Sequence, residues 1–152
     1  MKSEIKVDKD GVWYFRGARM FRKEFLAIFF ENLKVDENGH YLIELGDERC
    51  YLDVEDTVFV VQAVSKVFSQ EEGEAFYILL NDDTVEKLDV STLQIGRDHV
   101  PYCFVKNGKF KARFSRKSYY QLAEYIEASE TSEKYFINVN GKRYYIPMNH
   151  SA

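Results

Sequence analysis

Residues 22–53 read RKEFLAIFFENLKVDENGHYLIELGDERCYLD. They decide the reading of the fold, because residues 116–147, RKSYYQLAEYIEASETSEKYFINVNGKRYYIP, align with them without a gap. Arg22-Lys23 falls on Arg116-Lys117, and Tyr41-Leu42-Ile43 on Tyr135-Phe136-Ile137. Arg49-Cys50-Tyr51-Leu52 falls on Arg143-Tyr144-Tyr145-Ile146. In each window an amphipathic helix, a polar turn and two alternating strands follow in the same order. Self-similarity of this kind is the signature of a duplicated unit. The fold class it predicts is α+β: two similar helix-plus-hairpin units, an internal repeat, around a central antiparallel β meander.

The first helix is expected from Arg22 to about Leu33, since Phe25, Leu26, Phe29, Phe30 and Leu33 recur every three or four residues. Asp36-Glu37-Asn38-Gly39 reads as a turn, followed by a hairpin of Tyr41–Leu45 and Arg49–Val54. Upstream, Val12–Arg16 is strand-like, Gly17 turns the chain and Arg19-Met20-Phe21 returns. Residues 1–10 are polar and are expected to form a loose arm or a short edge strand. Downstream, Thr57–Phe68, Ala75–Leu80 and Thr84–Val90 predict the meander, and Leu93–Val100 a connector. Asn107-Gly108 marks a hairpin between Tyr102–Lys106 and Lys109–Phe114. Ser115 is the expected cap of a helix from Arg116 to about Ala128, with Tyr119, Leu122, Ala123 and Ile126 as its buried stripe. The last hairpin turns at Asn140-Gly141. The domain reading is a first unit at 1–56, central strands at 57–100 and a second unit at 101–152, in one body.

Composition narrows the class. With 45% hydrophobic and 30% charged residues the chain is expected to fold as a soluble globular protein. Eleven tyrosines and twelve phenylalanines predict a core built from rings. A net charge of −4 argues against nucleic acid as a partner, because that binding rests on a basic surface. Cys50 and Cys103 are expected as buried thiols on strands, not as a disulfide framework. Met1-Lys2-Ser3 opens without an apolar run, and no stretch is long and apolar enough for a membrane span, so a cytoplasmic protein is predicted.

Gly11-Val12-Trp13-Tyr14-Phe15-Arg16-Gly17, Phe21-Arg22, Gly39-His40-Tyr41-Leu42 and Val54-Glu55-Asp56 resemble the pattern of the bacterial family DUF1285, a domain of unknown function. Pro101-Tyr102, residues 111–116 (KARFSR) and Tyr119-Tyr120-Gln121-Leu122 extend the resemblance from about residue 11 to 147. The chain departs from the pattern at Thr57-Val58, where a small residue and a proline are usual. The resemblance implies a two-part α+β fold with repeated motifs, no established activity, and a role in bacterial signal transduction or ligand sensing.

Charge placement supplies the candidate site. Both helices open on two cations, Arg22-Lys23 and Arg116-Lys117, where the helix dipole disfavours positive charge by ~0.3–1 kcal/mol. Something negative is expected nearby. It is either an internal carboxylate among Asp53, Glu55 and Asp56, or an anionic ligand; the third reading leaves these cations as solvated charges. The ligand-binding residues expected are Arg16, Arg22, Glu55, Asp56, Arg113 and Arg116, around a groove between the units. The basic run of Lys106, Lys109, Lys111, Arg113, Arg116 and Lys117 reads first as a solvated face, second as a contact for an acidic partner or phosphate group, and last as a nucleic-acid contact. His40, His99 and His150 are scattered, and Asp82-Asp83 with Glu86 lacks calcium-loop spacing, so no metal and no cofactor is expected.

The function predicted is a non-enzymatic module that binds a small anionic ligand or an acidic protein segment, as a monomer or dimer. The alternatives are a hydrolytic enzyme using Glu55 or Asp56, and a purely structural subunit.

Overall fold

The computed structural model of the chain describes residues 3–148. They fall into two compact units, Met1–Val58 and Phe59–Ala152. In the first, the strands are β1 (Ile5–Val7), β2 (Trp13–Phe15), β3 (Ala18–Arg19), β4 (Leu33–Val35), β5 (Tyr41–Leu45) and β6 (Glu48–Val54), with helix α1 (Lys23–Glu31) between β3 and β4. They make one six-stranded sheet in the order β3-β2-β1-β6-β5-β4. The polar opening is therefore not a loose arm or an edge. β1 lies inside the sheet, antiparallel to β2 and parallel to β6, with Ile5 opposite Leu52 and Val7 opposite Val54. Three residues suffice because Ile5 and Val7 are buried, while Lys6 faces out and reaches Asp53 across the ladder at 3.9 Å. The Asp8 carboxylate accepts from the backbone N–H of Asp10 (2.9 Å) and Val12 (3.0 Å), which folds the chain back into β2.

The second unit holds β7 (Phe59–Ser69), β8 (Gly73–Leu80), β9 (Val85–Lys87), β10 (Gln94–Ile95), β11 (Pro101–Val105) and β12 (Phe110–Phe114), in the sheet order β10-β11-β12-β7-β8-β9. After helix α2 (Arg116–Ala123), β13 (Ile126–Ala128), β14 (Tyr135–Val139) and β15 (Lys142–Ile146) form a sheet of three. β7, β8 and β9 are antiparallel neighbours, but the free edge of β7 takes β12 in parallel, with Arg113 opposite Val60. A β-bulge between Val61 and Ala63 breaks the β7 ladder, and α2 fills the break. The Ser118 hydroxyl, fully buried, donates to the Val61 carbonyl at 2.7 Å, and the Gln121 side chain accepts from the Val64 N–H at 2.8 Å.

The predicted α+β class with two equivalent helix-plus-hairpin units around a meander is overturned. Strand makes up 49% of the described residues and helix 16%, with two sheets of six strands. A helix followed by three strands stands in each aligned window, yet the strands are used differently. Those of the first complete a six-stranded sheet, whereas those of the second stand as a sheet of three. The helices were also read too long. Leu33 and Ile126 fit the helical spacing but open strands β4 and β13. Asn32 ends α1 by turning its side-chain amide onto the Ile28 carbonyl at 2.8 Å. Cys103 is buried as expected, but Cys50 lies on an exposed stretch of β6.

Ser115 caps α2, its hydroxyl accepting from the Ser118 N–H at 3.1 Å. Ser115→Ala should therefore cost about 1 kcal/mol of stability, and Ser115→Asp much less. The shift in urea midpoint measures both.

Candidate functional site

The β2–β3 hairpin turns on Arg16 (φ 50°) and Gly17 (φ 83°), two successive left-handed residues, as a two-residue hairpin requires. The turn sets Phe15 opposite Ala18. The Met20 N–H then bonds the Trp13 carbonyl at 2.9 Å, which steers Phe21 and Arg22 towards the start of α1. Phe25 and Phe29 stand four apart on that helix and so share a face. Together these elements form an open apolar cleft of about 380 Å³ lined by Ile5, Phe15, Ala18, Arg19, Met20, Phe21, Arg22, Phe25 and Phe29. Its aromatic wall is unusually bare: Phe21 is 76% exposed and Phe25 49%. Contiguous exposed aromatic surface of this kind marks a binding surface more often than an ordinary face.

Two guanidinium groups stand at the cleft. Arg19 lies over the Phe21 ring at 5.5 Å and Arg22 over the Phe25 ring at 5.9 Å. Arg22 approaches Glu24 at 3.9 Å, but both are well exposed, so the pair contributes little. Arg22 occupies the N-cap of α1 and supplies no side-chain cap, while Glu24 places a carboxylate in the first turn of the helix. The start of α2 differs. There Ser115 caps, and Arg116 donates to the Tyr120 hydroxyl at 3.2 Å, a bond that raises its pKa.

Of the residues singled out from the sequence, Arg22 lines this cleft. Arg16 stands at its margin, over the Phe15 ring at 5.0 Å, and pairs with Glu4 at 3.0 Å. Glu55 accepts from the Lys9 N–H at 3.3 Å, and Asp56 lines another cleft of the same unit. Arg113, on β12, and Arg116 belong to the second unit. Arg19, Phe21 and Phe25 were missed. The available signal was the run Arg19-Met20-Phe21-Arg22, where arginine alternates with bulky apolar residues just before a helix.

Where carboxyl groups are displaced, their pKa values fall. The His40 N–H bonded to its carboxylate lowers Asp36, and Lys66 bonded to its carboxylate lowers Glu74. Asp82 and Glu86 turn towards Lys106, not towards one another. Among the described residues no group of three His, Cys, Asp or Glu is placed to hold a metal ion, and His150 lies outside those residues. No helix among them is long and apolar enough to cross a membrane.

Residues 1–57 match the family model described as the N-terminal domain of DUF1285, a domain of unknown function. The resemblance read from the sequence is borne out there. A solved DUF1285 family protein from Silicibacter pomeroyi DSS-3 has a similar structure, with TM-score 0.78 and 19% identity over 98% of this chain and 81% of that one. A second, from Shewanella baltica OS155, has TM-score 0.65 and 15% identity over 80% of this chain and 91% of that one. At these identities the likeness shows the fold. No curated protein matches the chain at a significant level.

Proposed function

We infer that this chain, whose residues 1–57 match the DUF1285 N-terminal domain, binds a small amphipathic anion in the arginine-rimmed aromatic cleft of the first unit. One observation carries the reading: a largely apolar cleft with two arginines and an uncapped helix start beside it. An acyl or aryl body lies against Phe15, Phe21, Phe25 and Phe29. Its carboxylate or phosphate meets Arg19 and Arg22. The apolar wall supplies affinity through burial, and the cations select charge. The volume lies within the range of small-molecule pockets. Binding alone, without chemistry on the ligand, is what this lining supports, and a sensing role in signal transduction is the natural use of such a module.

Trp13 provides the readout. It is the single tryptophan and stacks on Phe29 at 5.9 Å and on Phe30 at 5.1 Å. Titration with decanoate below its micellar concentration should give a saturable change in Trp13 fluorescence. Decanol should bind at least tenfold more weakly. Arg22→Ala should weaken decanoate by roughly tenfold, because a charge-assisted hydrogen bond contributes about 1.5–3 kcal/mol. Equal binding of decanol, or an unchanged decanoate affinity in both Arg19→Ala and Arg22→Ala, would overturn the reading.

A further inference from the structure

We propose that the first unit carries a second site, for a small organic ammonium ion, in the cleft where the turn before β5 meets β6. This cleft, of about 620 Å³, is lined by His40, Tyr41, Tyr51, Asp53 and Asp56 among others, and by no lysine or arginine. Its polarity is thus the reverse of the decanoate cleft. The two sites stand or fall separately.

The lining is set by local structure. The Asp36 carboxylate accepts from the N–H of Asn38 and of His40, both at 2.9 Å, and Gly39 takes φ 82°. This closed turn holds His40 at the mouth, with its Nδ1 3.6 Å from Asp36. The backbone N–H bonds of this turn, that of His40 first, lower the Asp36 pKa. Opposite Leu42 in the ladder, Tyr51 is anchored on β6, and Asp53 follows two residues on. Burial, and then the Asp56 carboxylate, push the Tyr41 phenol above its usual range.

Rings and carboxylates in one cleft are the chemistry that recognises a substituted ammonium ion. The charge is balanced by Asp53 and Asp56, and the N-alkyl groups lie on the ring faces. The Lys6 ammonium, 3.9 Å from Asp53 with both side chains more than half exposed, is a weak competitor for it. A bare metal ion suits the cleft less well. Its acids do not form a cluster of three or more placed to share one.

Calorimetric titration with choline, against its neutral isostere 3,3-dimethylbutan-1-ol, tests the site. Choline should bind saturably and the alcohol at least tenfold more weakly. Asp56→Asn should weaken choline about tenfold, and Tyr41→Leu by a comparable factor, with decanoate binding unchanged in both. A choline affinity equal to that of the alcohol overturns the proposal. So does full choline affinity in Asp56→Asn and Asp53→Asn alike. If Tyr41→Leu fails to fold, the isosteric asparagine variants still decide the matter.

Discussion

Trp13→Ala is expected to lower the folding stability of the protein by about 3–5 kcal/mol, the range for deleting a large buried ring. Trp13 is 2% exposed and sits opposite Val7 in the ladder. Its indole carries Phe29 on one contact and the edge of Phe30 on another. Helix α1 itself contains no buried residue, so these contacts are a main attachment of the helix to the sheet. The same substitution should therefore loosen α1, read as faster hydrogen exchange at residues 26–31. Trp13→Phe should cost much less. The indole N–H is buried without a hydrogen-bond partner, and removing such a group recovers about 1–3 kcal/mol against the lost contact area. A loss below 1 kcal/mol in the alanine variant, by urea denaturation, would contradict this account of how the helix is held.

Asp82→Ala should be the next most damaging change. The Asp82 side chain is 8% exposed and meets the Lys106 ammonium at 2.8 Å. It also accepts from the Thr84 hydroxyl and, at 3.1 Å, from the Thr84 N–H. Lys106 bonds the Thr84 oxygen at 2.9 Å, and its N–H donates to Glu86. The pair thus ties the β8–β9 turn to the β11–β12 turn. Breaking a buried pair costs ~3–5 kcal/mol, but Lys106 is 29% exposed and can recover water, so about 2–3 kcal/mol is expected.

The acid dependence follows from the direction of the shift. Burial opposes the Asp82 charge, yet the bonds from Lys106 and Thr84 outweigh it and lower its pKa. A lowered native pKa means the stabilisation is complete above the unfolded value of about 3.9 and is lost as pH falls through the native value. The stability gap between wild type and Asp82→Ala should therefore be flat from pH 7 to 5 and narrow below about pH 4. A gap that persists at pH 2 would show that the carboxylate charge is not what matters.

Local structure was legible in the sequence because its causes are local. Asn107-Gly108 gave the β11–β12 hairpin, and Ser115 gave the α2 cap. The assembly was not legible, because two parallel ladders decide it. β1 joins β6, and β7 joins β12, between strands far apart in the chain, and neither ladder leaves a turn signature. Without them, residues 1–10 read as a loose arm or a short edge strand and residues 57–90 as a central antiparallel meander. The site shows the same division. Arg22 was visible as a cation misplaced on a helix start. Arg19 and Phe21 became meaningful only when the β2–β3 turn folded them beside α1.

The position of β1 has a consequence for synthesis. Ile5–Val7 leaves the ribosome well before its parallel partner, which is complete only once Val54 has emerged. At ordinary translation speeds that is a delay on the order of seconds, during which the strand keeps one unsatisfied edge. Lys6, a charge at the centre of a three-residue strand, is well placed to discourage a neighbouring nascent chain from docking there.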